Sequence, residues 1–147
     1  MLGIRGVYEV AIKVRDLAAS ERFYTDVLGC EVGLRDPRRP WIFLRAGAEG
    51  MIVLQEDKGD WPQQHFAFSV AERDIDAAAA ELSRRGVATE GPMVHEWIPA
   101  KSLYFADPDG HDLELCAPLP RPPAPARYER VWKEHVAPLS GAYEMTR

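Results

Sequence analysis

The sequence predicts an α+β fold built from two βαβββ modules, with a proline-rich extension carrying a short helix behind them. Three observations carry that expectation. The alternating apolar segment at residues 7–15 returns at 63–71, an offset of 56. Each copy is followed by a stretch with helical apolar spacing, and each of those by three shorter strand candidates. The order of elements repeats more faithfully than the residues do.

In the first copy, Val7-Tyr8-Glu9-Val10-Ala11-Ile12-Lys13-Val14-Arg15 alternates as a half-buried strand does, and the offset sets Glu9 on His65, Ala11 on Ala67, Ile12 on Phe68 and Val14 on Val70. Asp16 or Ser20 is the expected cap of the first helix, whose apolar positions are Leu17, Phe23, Tyr24, Val27 and Leu28, with Gly29 as its stop. Asp74 is the expected cap of the second, with Ile75, Ala78, Ala79 and Leu82 on its apolar side and Gly86 as its stop. Strands are expected near 30–35, 41–45 and 51–55, and again near 87–93, 101–106 and 112–116. Asp107-Pro108-Asp109-Gly110 is a turn, because proline presets one dihedral and glycine accepts positive φ. Aligning Leu44 with Phe105 and Leu54 with Leu115, an offset of 61, sets Val53 opposite Glu114.

The modules therefore span about 7–55 and 63–116, making a domain of residues 1–116 and an extension of 117–147. Pro118, Pro120, Pro122, Pro123 and Pro125 suit an extended polyproline-like linker. Beyond them Tyr128, Val131, Trp132, Val136 and Leu139 recur at helical spacing, with disorder as the alternative.

Composition narrows the function classes. The chain has 147 residues and 18 Lys plus Arg against 23 Asp plus Glu, a formal charge of −5, which argues against a nucleic-acid partner. No apolar run approaches the roughly 20 residues that span a bilayer, so no membrane partner is expected. The opening Met1-Leu2-Gly3-Ile4 lacks the long apolar core of a signal peptide, and Cys30 and Cys116 are too few for a disulfide scaffold. Both cysteines sit in apolar runs and read as buried thiols, so a cytoplasmic location is expected.

Chemistry is expected where the repeats meet. Alternation puts Glu9, Ala11 and Lys13 on one face, His65, Ala67 and Ser69 on its equivalent, and Asp112, Glu114 and Cys116 on one face of the last strand. If the sheets share a concavity, Glu9, His65 and Glu114 form an imidazole and two carboxylates suited to a divalent cation with open positions. Each has an ordinary alternative: a solvated strand Glu, a hydrogen-bonded core His, a Glu pointed at water by alternation. Trp41 is a candidate stacking wall, and Lys101 and Tyr104 are candidates to bind an anionic or carbonyl substrate. His95-Glu96-Trp97 sits in a loop able to supply an acid or base, or merely exposed, and His111 is expected to be exposed in its turn.

Val10-Ala11-Ile12-Lys13-Val14-Arg15-Asp16-Leu17, then Ser20, Phe23-Tyr24 and Leu28-Gly29, resembles the opening of the glyoxalase, bleomycin-resistance and extradiol-dioxygenase superfamily, the vicinal oxygen chelate proteins. Tyr104-Phe105-Ala106-Asp107-Pro108-Asp109-Gly110-His111-Asp112-Leu113-Glu114-Leu115 resembles its closing strand-turn-strand signature. The resemblance covers about residues 7–116. It implies paired modules around one divalent ion (Zn, Mn, Mg, Ni or Fe), with Glu9, His65 and Glu114 at the ligand positions.

Two departures carry chemical content. The first ligand is usually His, or Gln in some glyoxalases, and here it is Glu9; two carboxylates favour Mg²⁺, Mn²⁺ or Zn²⁺ over O₂-activating Fe(II). A fourth ligand used by glyoxalases falls on Val53, which cannot coordinate, and Gln55 lies two residues on along the same face. Fosfomycin-resistance transferases are similar in layout and carry a Tyr at the position of Tyr104, but depart at Ala11 and in the loop Ile98-Pro99-Ala100-Lys101-Ser102. The resemblance thus implies a metal-dependent enzyme on a small oxygenated metabolite or antibiotic, with Glu9 and Tyr104 as catalytic candidates and Trp41, Gln55, Lys101 and Tyr104 as substrate contacts. The alternative it implies is a metal-free drug-sequestering protein. Either is expected as a homodimer whose cavities draw on both subunits.

Overall fold

A computed structural model describes residues 2–95 and 98–120. The chain runs β1 (Glu9–Val14), α1 (Leu17–Arg22, widening into a π-helical turn over Phe23–Val27), β2 (Glu31–Arg35), β3 (Trp41–Ala46), β4 (Gly50–Glu56), β5 (His65–Ser69), α2 (Glu72–Arg84), β6 (Thr89–His95), β7 (Ala100–Ala106) and β8 (Asp112–Pro118). They form two four-stranded sheets, ordered β1-β4-β3-β2 and β5-β8-β7-β6, neither closed into a barrel. β1 lies parallel to β4 and β5 parallel to β8, while the hairpins that follow each helix pair antiparallel. A parallel pair needs a crossover connection, and the helix of each module lies within it. The expected βαβββ order is what forms. Pro118, expected to open the linker, instead ends β8 opposite Ala100, while the linker from Pro122 on, the expected helix at Tyr128–Leu139 and Glu96-Trp97 of the candidate loop lie outside the described residues.

Local signals explain the helices unevenly. Asp16 is the cap of α1, its side chain accepting from the Ala19 N–H at 2.9 Å. Gly29, at φ 74°, takes the left-handed step that ends the first helical segment. The second cap differs from expectation: Ala71 holds that position with no side-chain bond, and Asp74 falls inside the first turn beside Glu72. There the two carboxylates face the positive end of the helix dipole instead of capping it.

Period-two alternation decides the layers. Ile12, Val14, Leu44 and Leu54 of the first module join Ile75, Leu82, Leu103 and Leu113 of the second in one buried cluster, with Tyr24 between them. Both helices cover that side, α1 over β3 and β4, α2 over β6, β7 and β8. The opposite sheet faces stay open, leaving Glu9, Ala11, His65, Ala67 and Ser69 exposed.

The seam between modules has two unlike ends. At one, the turn after β7 folds back as a polar clasp. Asp107 accepts from the Tyr24 hydroxyl at 3.0 Å, and Asp109 from the Arg15 N–H at 3.2 Å and the Ser20 hydroxyl at 3.3 Å. His111, expected to be exposed, is 0% accessible. Its Nδ1 accepts from the Gln64 N–H at 2.9 Å, Nε2–H donates to the Lys13 carbonyl at 2.7 Å, and its ring stacks on Trp61 at 5.3 Å. An N–H on one nitrogen and a carbonyl on the other fix the neutral Nε2–H tautomer. The repeat places Gly50 at the other end where His111 stands at this one. There a cavity of about 560 Å³ opens among residues that include Val10, Cys30, Gly50, Phe66, Phe68 and Leu115.

Candidate functional site

Parallel pairing of β5 with β8 sets His65 opposite Asp112 and Ala67 opposite Glu114. Antiparallel pairing of β7 with β8 sets Tyr104 on the far side of Glu114 and Ser102 beside Cys116. Five ionisable side chains, His65, Tyr104, Asp112, Glu114 and Cys116, and a serine therefore gather on the open face of the second sheet, none adjacent in sequence to its partner. His65 is at their centre. Its Nδ1 lies 2.9 Å from Asp112 Oδ2 and 3.1 Å from the Asp112 carbonyl, and its Nε2 lies 3.4 Å from Glu114 Oε2.

Glu114 is 8% exposed, the only buried carboxylate on this face among the described residues. One of its oxygens accepts from the Ser102 hydroxyl, which leaves the other turned toward His65. A carboxylate taken out of water needs compensating charge or hydrogen bonds, and Ser102, Tyr104 and Cys116 supply only neutral donors. Two ligand atoms each about 2.1 Å from one tetrahedral cation stand about 3.4 Å apart. The His65–Glu114 spacing and donor chemistry fit a divalent ion of that kind.

Tyr104 borders the pair. Its ring centroid is 6.3 Å from that of His65, and its hydroxyl is 2.9 Å from His95 Nε2. Loss of water raises the phenol above its ordinary value; the Ser102 hydroxyl opposes this, and the Glu114 charge adds to it. Tyr104 is thus held as a proton-bearing donor. Cys116, half-buried and free, completes the row next to Ser102, and burial raises its thiol as well.

The other expected site residues fall elsewhere. Glu9 is exposed on β1 of the first sheet, opposite Met51. Among the described residues, no group of three or more His, Cys, Asp or Glu side chains is disposed to hold a metal ion. Trp41 and Gln55 are register partners, both half-buried on the first sheet, and the Arg39 guanidinium lies 3.7 Å over the Trp41 ring. Lys101 does not join the site: it alternates to the helix side of β7 and pairs with Asp76 of α2 at 2.8 Å. Asp112 and Ser102 carry contacts that the sequence motifs do not assign. The alternation Asp112, Glu114, Cys116 pointed toward the first, but nothing in the sequence marked Ser102.

Comparison with known proteins agrees with this frame. A family model described as Glyoxalase/Bleomycin resistance protein/Dioxygenase superfamily matches residues 6–115. The chain is 34% identical to YaeR of Escherichia coli over 129 residues, 78% of this chain and 98% of that one. It is 28% identical to the metallothiol transferase FosB of Staphylococcus epidermidis over 117 residues, 76% of this chain and 83% of that one. Among solved structures, an integron cassette protein from the Halifax Harbour sewage metagenome superposes with TM-score 0.74 at 50% identity, covering 78% of this chain and 99% of that one. The antibiotic-binding protein TnmS3 of Streptomyces sp. CB03234 superposes with TM-score 0.69 at 27% identity, covering 80% and 99%. With two βαβββ modules in place and the family match spanning both, the chain belongs to the glyoxalase, bleomycin-resistance and dioxygenase superfamily.

Proposed function

We propose that this protein is a divalent-metal-dependent enzyme acting on a small oxygenated metabolite or antibiotic, and that it works as a homodimer. The observation that carries this reading is the His65–Glu114 pair, with Nε2 and Oε2 separated by 3.4 Å and one flank of the carboxylate anchored by Ser102. His65 and Glu114 hold the ion from one protomer. Glu9, exposed on the other sheet, supplies the third ligand from a second copy, since it does not join those two in its own chain. The ion, when bound, supplies Lewis acidity to neighbouring substrate oxygens.

The chain's own residues supply the rest. Tyr104, kept protonated, donates to an oxygen that gains negative charge, and His95 orients its hydroxyl. Trp41 and Gln55, on the sheet that carries Glu9, line the opposing wall for substrate. Glu9, a carboxylate of the proposed set, would also be the group able to accept a proton from substrate. Free Cys30 and Cys116 suit a reducing cytoplasm. The test is chelator-stripped protein refilled with Zn²⁺, Mn²⁺ or Mg²⁺ and measured by calorimetry. Uptake of one ion per chain is expected; no stoichiometric uptake of any of them would sink the proposal.

A second reading has its own observation. The first sheet carries half-buried Phe43, Trp41 and Gln55 on one face, aromatic and polar groups suited to a planar drug, and TnmS3 is an antibiotic-binding protein. Saturable quenching of tryptophan fluorescence by a cationic aromatic drug, unchanged by chelator, would favour sequestration over catalysis.

A further inference from the structure

The contacts of His65 point past the ligands to the group behind them. We infer that Asp112 is a positioning residue that locks His65 with its proton on Nδ1 and its Nε2 lone pair facing Glu114. This inference rests on the metal reading above and assigns a role to a residue outside the ligand set.

Because β5 and β8 run parallel with His65 opposite Asp112, the Asp112 side chain and backbone carbonyl both meet the same imidazole nitrogen, at 2.9 Å and 3.1 Å. Both are acceptors within hydrogen-bond distance of Nδ1, whereas the carboxylate facing Nε2, Glu114 Oε2, stands at 3.4 Å, beyond the roughly 2.7–3.2 Å of an N–H···O bond, so Nδ1 is the nitrogen that carries the proton. Nε2 is then left as an acceptor, and it is the nitrogen facing Glu114 at 3.4 Å. Free imidazole side chains populate both tautomers, and a ring with its proton on Nε2 would turn an N–H where a cation must sit. A carboxylate on the distal nitrogen also makes the ligating nitrogen more basic. The first module shows what is added: Glu9 has Met51 in the register position where His65 has Asp112, and Met51 offers no comparable acceptor.

Asp112 is exposed, its side chain 59% accessible, so its variants are expected to fold. The experiment compares wild type, Asp112→Ala and Asp112→Asn in two measurements. The first is ¹⁵N-histidine NMR of the metal-free proteins at a pH where His65 is neutral; the second is Zn²⁺ affinity by calorimetry. Wild type is expected to show the Nδ1–H tautomer. Asp112→Ala is expected to mix the tautomers and weaken Zn²⁺ binding about 10- to 100-fold. Asp112→Asn, which keeps an acceptor oxygen, is expected to restore the tautomer and most of the affinity. If Asp112→Ala keeps the wild-type tautomer, the backbone carbonyl suffices and the inference fails, whatever the affinity. If the tautomers mix but affinity stays within about twofold, positioning does not serve the ion and the inference fails again. Wild type that takes up no Zn²⁺ overturns the metal reading and this inference together, which separates that failure from the other two.

Discussion

The two open sheet faces have one geometry and opposite chemistry. Register aligns them row by row. Glu9, Met51 and Arg45 of the first sheet correspond to His65, Asp112 and Ala106 of the second. Ala11, Val53 and Phe43 correspond to Ala67, Glu114 and Tyr104; Lys13, Gln55 and Trp41 to Ser69, Cys116 and Ser102. In the middle row a valine with 1% exposure stands where the second module has a glutamate with 8%. The first module spends its central positions on packing and offers a wall. The second spends them on hydrogen-bonding and ligating groups. A duplicated frame thus concentrates the polar groups in one half and leaves the other a packing wall with Glu9 at its edge, provided the halves of two chains can face each other.

The largest expected effect would break this comparison outright. His65→Ala should lower Zn²⁺ affinity by more than the roughly 100-fold that loss of an outer-shell partner costs, because it removes a ligand and leaves Glu114 buried without its neighbour. Calorimetry on the metal-free variant checks it, and wild-type affinity would show that the second sheet is not the metal-bearing half.

The division between chains can be sharpened by complementation. Glu9→Ala and His65→Ala, each deficient alone, should on mixing and subunit exchange recover roughly a quarter of the wild-type sites, since half the dimers are mixed and each holds one intact site. Sedimentation of the wild type should give a dimer at micromolar concentration. A monomer, or no recovery from the mixture, would mean that Glu9 does not reach a neighbour's His65.

The seam offers a third test. His111→Ala deletes two hydrogen bonds and a stacked ring from a fully buried position, and about 2–4 kcal/mol of stability should go with them. Urea unfolding measures it, and a loss under about 0.5 kcal/mol would show that the clasp contributes little. At the equivalent Gly50 the obstacle is different: an added Cβ would lie 2.8 Å from the Ala46 carbonyl oxygen, so Gly50→Ala should destabilise by strain, not by lost bonding.

The smallest effect is a slope with pH. Burial raises the Cys30 thiol to about 11, and burial followed by the Asp107 charge raises the Tyr24 phenol far beyond its ordinary range. Above about pH 9–10 the unfolded chain releases both protons while the folded chain keeps them. Stability is therefore complete below that range and falls as pH rises, by about 1.4 kcal/mol per pH unit for each group engaged. Cys30→Ala should flatten the fall between about pH 9 and 11, read by urea midpoints at stepped pH; an unchanged slope would remove the thiol from the account.

The sequence by itself determined the frame. Period-two alternation in Ile12 and Val14, helical spacing from Leu17 to Leu28, and the offsets of 56 and 61 that pair Glu9 with His65 and Val53 with Glu114 are all local or repetitive signals, and the sheets reproduce them. Strand ends moved by a few residues, because pairing partners and not propensity decide where a ladder stops. Only the tertiary structure decided which residues meet. His111 looks like a solvated turn residue until Lys13, Gln64 and Trp61, each distant in the chain, close around it. Lys101 and Ser102 differ by one position, and strand alternation sends one to Asp76 on the helix side and the other to Glu114 on the open face. Asp112 meets His65 through a parallel register that no spacing within either strand encodes. Periodicity is written along the chain, whereas contact depends on how separate strands are laid side by side.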